Sequence, residues 1–225
     1  MPTLTSFTSV AFDDVTLPKV GWTGKLTLEP HHALSLVNTC SGVILGGGSS
    51  RMSLPFTVER DEAGFHLRSH FPAFRKDLVS QVSDKGSLEV LFDIGEYYID
   101  PEWVLREKAH APTEVKAVFS IAGSARFIVC TPVEALDHLD RVRGYKQLKF
   151  NPESKFSVEN LPADYINEML PQILHFEIDV EQIHVSQVMA MTHLIAEHRM
   201  HILQKLDLLG DLKAQEAAQI IRFYL

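Results

Sequence analysis

The chain has 225 residues, 45% of them hydrophobic, which is enough to build the core of one large domain or two small ones. Its 21 basic and 29 acidic residues leave a net charge of -8, so most of its surface repels nucleic-acid phosphates and a DNA contact would need a local basic patch. The chain contains no apolar run of the roughly 18 residues that a membrane span requires, and "MPTLTSFTSVAFDD" lacks the charge and apolar pattern of a signal peptide, so a cytoplasmic protein with no membrane partner is expected.

In chain order, "GKLTLEP" alternates Leu26 and Leu28 as a strand does, and "PHHALSLVNTC" sets Ala33, Leu34 and Val37 on one helical face. "SGVILGG" is a short apolar strand closed by Gly46, Gly47 and Gly48, and "RMSLPFTVERDEAGFHLRSH" reads as a hairpin turning at residues 61 to 64. Residues 72 to 83 are predicted to be helical, with Phe74, Leu78 and Val82 (or Val79) inward. A strand over 88 to 94 ends at Gly95, and "TEVKAVFSIAGSARFIVC" alternates Val115, Ala117, Phe119 and Ile121 against polar neighbours. Five or six strands thus lie between residues 25 and 130 without the long helices that parallel crossovers need, which implies an antiparallel barrel or sandwich. "TPVEALDHLDRVRGYKQ" is a helix with Thr131 as N-cap, Pro132 at its first position, Glu134 completing a capping box and Gly144 as its stop. "LPADYINEMLPQ" is a helix ended by Pro171, and "ILHFEIDVEQIHVSQ" is a strand with Phe176 and Ile178 opposed to His175, Glu177 and Asp179. Residues 189 to 209 and 211 to 225 are read as helices. The expected fold class is mainly β with peripheral helices (α+β), with a barrel domain over 1–188 and a C-terminal helical appendage of the same domain over 189–225.

The joint "FHLRSHFPAFRKDLVSQV" draws attention because Arg75 and Lys76 fall in the first turn of the predicted helix, where the positive end of the helix dipole opposes cations unless an anion is near. A phosphate site needs backbone N–H donors at a helix start and cations with reach, and this segment has both. Strand alternation and the hairpin place Arg51, Ser53, Ser69 and His70 near the same helix start. The bland reading is a solvated helix face. Cys40 and Cys130 sit in apolar runs without metal spacing and are expected to be buried free thiols. His198 and His201 are spaced to share a metal, and His31 with His32 opens a helix, but packing and an exposed helix start explain them, and no metal site is expected. "GGGSSR" at 46 to 51 lacks the ending of a phosphate loop, and no nucleophile elbow or zinc-protease motif occurs.

"LPFTVERDEAGFHLRSHFPAFRKDLVSQ", "GEYYIDPEWV", "APTEVKAVFSIAGSARFI" and "LHFEIDVEQIHVSQ" together resemble the FMN-binding split-barrel proteins, most closely their PaiB-like negative transcriptional regulator branch. "YYIDPEWV" is similar to that branch's Y-x-S-P-x-W stretch at Tyr98, Asp100, Pro101 and Trp103. The resemblance covers roughly residues 30 to 205. It implies a split antiparallel β-barrel of the FMN-binding type and a homodimer with FMN at the subunit junction. In it Arg51, Arg75 and Lys76 neutralise the phosphate, Ser53, Ser69 and His70 hydrogen-bond the phosphate or ribityl chain, and Trp103 borders the ring. A regulatory role and DNA as a partner follow from the resemblance alone, as does flavin-run hydride or electron transfer. A haem-binding split barrel would also require a histidine. Glu114, Val115 and Lys116 stand where the branch carries Trp-Asn-Tyr, which removes stacking and amide partners for a flavin ring. The alternative is therefore a split-barrel homologue without flavin, acting as a dimeric binding or interaction module.

Overall fold

The computed structural model describes residues 8–11, 28–38, 41–45, 53–104, 113–151 and 153–225. Seven strands occur among them: β1 (Thr8–Ala11), β2 (Ser41–Leu45), β3 (Ser53–Arg60), β4 (Phe65–Pro72), β5 (Ser87–Ile99), β6 (Thr113–Ile128) and β7 (Ile173–Met189). The helices are α1 (Pro30–Val37), α2 (Lys76–Lys85), α3 (Pro132–Phe150), α4 (Ala163–Met169), α5 (Ala196–Leu209) and α6 (Leu212–Arg222).

All strand pairings are antiparallel, in the order β1-β7-β4-β3-β2-β5-β6, and β6 returns to pair with β7. Six strands therefore close on themselves, which removes the free edges a sheet would otherwise expose. One edge of β7 runs along β6 from His175 to Met189. Its other edge is shared, with β4 taking Ile173 to Asp179 and β1 taking Gln182 to Val185, so the wall opens between those two neighbours. Ladder irregularities at Val118/Phe119 and Ala122/Gly123 let the long β6–β7 pair bend around the barrel.

Alternation sends Phe56, Phe71, Phe92, Phe119 and Phe176 inward, and all five are fully buried. Phe56 meets Phe92 and Phe176 edge-on at 5.7 and 6.1 Å, and Phe92 stacks on Phe119 at 5.3 Å. Each such ring contributes about 1.5 to 3 kcal/mol by leaving water. Ala33, Leu34, Leu36 and Val37 of α1 are buried as well. Helix α6 lays Ala214, Ala217, Ala218, Ile220 and Ile221 into the same core.

Several expected boundaries move. Strand β5 does not stop at Gly95: that residue takes φ 71° at a bulge between Ile94 and Tyr97, and the strand resumes to Ile99. Gly144 does not end α3. It lacks a positive φ, and the helix continues to Phe150 from the expected Thr131–Glu134 capping box. Helix α2 starts at Lys76 because Pro72 still pairs with Ile173, so Phe74 precedes the helix and is exposed rather than inward. The segment expected to be helical from 189 begins instead as the end of β7, reverses at Met191 (φ 58°) and becomes α5 only at Ala196. Leu26 and Gly46, Gly47 and Gly48 lie outside the described residues, while Leu28 is buried.

Gly123 has no room for a side chain, because an added Cβ would run into the Asp179 carbonyl across the β6–β7 ladder. Gly123→Ala is expected to cost about 3 kcal/mol or more in urea unfolding. Gly144→Ala, whose Cβ meets open space inside a helix, is expected to gain about 0.5 to 1 kcal/mol.

Candidate functional site

The joint lies where β4 ends beside the start of β7, with the Ala73 amide donating to the Gln172 carbonyl at 2.8 Å. A turn closed by the Arg75 amide on the Pro72 carbonyl, 3.0 Å, leads into α2. Arg75 is the N-cap residue of α2 and its side chain makes no capping bond; the Lys76 amide donates to the Phe74 carbonyl at 2.9 Å, and the Leu78 and Val79 amides donate to the Arg75 carbonyl at 3.0 and 3.1 Å. Lys76 is exposed at the first helical position. The Arg75 guanidinium grips Asp77 in two bonds, Nε to Oδ1 at 2.9 Å and Nη2 to Oδ2 at 2.6 Å. That carboxylate is one negative partner for the cation.

Ser53 opens β3, exposed and paired with Val43. Ser69 pairs with Phe56 and Phe176 and shares their inward face, where its hydroxyl donates to the Pro55 carbonyl at 2.6 Å. His70 is the next residue along the strand and faces outward. Consecutive strand residues cannot share a face, so Ser69 and His70 reach different environments. Trp103 follows β5 in a short 3-10 turn, Pro101–Trp103, packed partly against the core. It lies at the end of the barrel where β5 finishes and β6 begins, whereas Arg75 and Lys76 lie at the other end, beside the start of β7. The structure thus brings Ser53, Arg75 and Lys76 to one end of the barrel and Trp103 to the opposite one. Arg51 lies outside the described residues.

A constellation that the sequence reading missed occupies the outer face of β3, β4 and β7, beneath α3. His70 and His175 are direct cross-strand partners. His138, fully buried on α3, descends onto them. Its Nε2 lies 3.0 Å from His70 Nδ1, and its Nδ1 lies 3.3 Å from the Thr57 hydroxyl. The three ring centroids are 5.1, 5.5 and 5.8 Å apart. Next to them, Arg68 donates to Glu177 at 2.5 Å, Arg126 reaches the other oxygen of Glu177, and Glu59 bridges Arg68 and Arg141. The alternation of His175, Glu177 and Asp179 against Phe176 and Ile178 was legible in sequence; the meeting of His175 with His138 on α3 was not.

Burial keeps the imidazoles neutral. Desolvation, with His175 and Lys146 nearby, lowers His70 to about 4. Desolvation, with His70, His175, Arg141 and Arg68 around it, lowers His138 to about 3. His175 is lowered too, first by burial and then by Arg68. Elsewhere, Cys130 is a half-buried free thiol, and Cys40 lies outside the described residues. His198 is buried in α5 beside the core residues Ile202 and Leu203. Among the described residues no helix is long and apolar enough to cross a membrane.

A family model described as "Putative FMN-binding domain" matches residues 32–182. No curated protein matches the chain. Among solved structures, a flavocytochrome from Azotobacter vinelandii is similar at 10% identity and TM-score 0.44, covering 79% of this chain and 75% of its own. A conserved hypothetical protein from Mycobacterium tuberculosis is similar at 9% identity and TM-score 0.43, covering 74% and 90%. A FAD and heme binding protein from Mycobacterium smegmatis is similar at 11% identity and TM-score 0.40, covering 77% and 78%. At these values the likenesses carry no argument about ligand or assembly.

The buried imidazoles make stability depend on pH in a definite direction. An unfolded chain protonates histidine near 6.5, whereas folded His70 and His138 resist protonation down to about 4 and about 3. Between those values the unfolded state binds more protons, so stability is lost as the pH falls from about 6.5 towards 4. A loss on the order of 3 kcal/mol between about pH 7 and about pH 4 is expected in urea titrations of chelator-treated protein. The His138→Gln variant should show a shallower slope.

Proposed function

The chain belongs to the family of FMN-binding domains, and from that premise we propose that it binds FMN as a homodimer of the PaiB-like class, with the phosphate at the start of α2. The observation that carries this reading is the pair of cations at the start of α2, Arg75 at its N-cap and Lys76 exposed at its first helical position. Cations at a helix start suit a phosphate, and Lys76 supplies the exposed charge there. Arg51 and Ser53 belong to the same proposed phosphate set. Ser69 and His70 enter as the strand residues that fix the joint, not as phosphate ligands. Asp77 competes with a phosphate for Arg75, so binding would require the guanidinium to turn from one anion to the other. The opposite-end position of Trp103 supports a dimer, since one chain's Trp103 could border a ring only if the phosphate were held by its partner. When bound, FMN would supply hydride or electron transfer, and the chain would supply orientation and electrostatics. A regulatory role with DNA as a partner rests on the resemblance, and the net charge of -8 opposes it except at a local patch.

The second reading, a dimeric interaction module without flavin, is favoured by the Arg75–Asp77 pair and by what replaces the aromatic run: Val115 is buried in the barrel and Lys116 pairs with Asp93 at 3.2 Å. Exposed Phe74, Val129 and Val133 would then serve a partner.

Titration of the purified protein with FMN, followed by flavin fluorescence, separates the two. The Arg75→Ala/Lys76→Ala double variant should bind at least about tenfold more weakly, as expected for lost charged hydrogen bonds. Asp77→Asn, which releases Arg75, should bind more tightly. Equal affinity in all three proteins would remove the joint from the site, and no binding by any of them would leave the module reading.

A further inference from the structure

Of the three clustered histidines, His175 is the one whose environment lacks a protein explanation. Only 6% of its surface is exposed, and neither ring nitrogen has a hydrogen-bond partner among the described residues. A buried polar group normally finds one, because leaving it unpaired costs roughly 1 to 3 kcal/mol. The side chain is held against His70 on the neighbouring strand and His138 on α3, so the three rings converge from three separate elements. Three imidazoles radiating from one tetrahedral ion, with metal–nitrogen bonds near 2.0 to 2.1 Å, would have ring centroids about 5 Å apart. The observed spacings are 5.1, 5.5 and 5.8 Å.

We propose that His70, His138 and His175 form a binding site for a divalent transition metal of imidazole preference, such as Zn²⁺ or Co²⁺, that pins α3 to the barrel wall. The metal would replace the proton shared by His70 Nδ1 and His138 Nε2, which already stand 3.0 Å apart. Ring rotation at His175 would bring one of its unpartnered nitrogens inward as the third ligand. The Thr57 hydroxyl on His138 Nδ1 is the outer partner that ligating histidines usually have, and it leaves Nε2 for the ion. Half-buried His70 gives the path of entry. The surrounding charges are balanced: Arg68, Arg141 and Lys146 face the cluster, while Glu59, Glu177 and Asp137 neutralise Arg68 and Arg141. Neutral imidazoles are also the protonation state that metal binding demands.

By donor-atom spacing the tighter trio among the described residues is Glu29, His31 and His32, whose donor atoms all lie within 4.8 Å of one another without any ring rotation. It stands at the start of α1, with Glu29 and His31 exposed and His32 half-buried, where the helix dipole works against a cation. It serves as the control.

The test is titration of the chelator-treated full chain with Co²⁺, read by its visible d–d absorption, and with Zn²⁺, read by the thermal unfolding midpoint. One Co²⁺ per chain is expected, with its affinity kept within about threefold in His31→Ala/His32→Ala and reduced at least tenfold in His175→Gln and in His138→Gln. Zn²⁺ should raise the unfolding midpoint of the wild type and not of His175→Gln. His175→Gln removes no hydrogen bond, so it is expected to fold even if His138→Gln does not, and circular dichroism checks this. Absence of binding, binding lost in the α1 double variant, or binding retained in folded His175→Gln would each overturn the proposal.

Discussion

Residues His66 to Pro72 of β4 pair with Asp179 to Ile173 of β7, and this ladder closes the barrel wall and sets the address of every candidate site residue. Its register puts Ser69 beside Phe56 and Phe176 in the interior, and it puts His70 opposite His175 outside. A slip of one position would exchange the two faces, driving His66, Arg68 and His70 into a lumen filled by phenylalanines. The same ladder fixes the end of β4 against Gln172, and so decides where the turn into α2 can begin.

The outer face that this register creates is polar, yet it is covered by a helix. Among its described side chains, α3 brings Ala135 and Val142 as buried apolar groups, alongside the fully buried His138. Polar contacts join them in docking α3: His138 with Thr57 and His70, and Arg141 with Glu59. Networks of this kind specify one arrangement when complete and are costly when a member is left unpaired. His175 is such a member among the described residues, which makes the space beneath α3 a place where the protein's own groups fall short of satisfying one another.

What could be read from the sequence follows from what is local. The hairpin at residues 61 to 64, the alternation of β6 and the capping box of Thr131 and Glu134 are encoded within a few residues, and they form as expected. Boundaries failed where a glycine admits more than one conformation: Gly95 carries a bulge inside β5 and Gly144 sits inside α3, whereas Gly86 and Gly210 do end helices. The histidine cluster was illegible because His70 and His138 meet across 68 positions and His175 joins them only through the strand register. Arg75, singled out in the sequence as a cation in an unfavourable helix turn, stands at the N-cap of α2, where its neighbour Asp77 supplies a counter-charge, a pairing that spacing alone leaves open.

That counter-charge bears on how a flavin could be held at all. An arginine committed to an adjacent carboxylate is not a vacant phosphate ligand, and exchanging one anion for another yields less than pairing a free cation. Exposed Lys76 would then carry the larger share of phosphate recognition. Trp103 stands beyond Ile99 at the far end of β5, while α2 hands over to the beginning of that strand at Gly86. The thirteen residues from Ser87 to Ile99 span about 40 Å as extended chain, more than one isoalloxazine and its ribityl phosphate can bridge. Trp103 could therefore border a flavin anchored at α2 only from a second copy of the chain, which ties this proposed role of Trp103 to the proposed dimer.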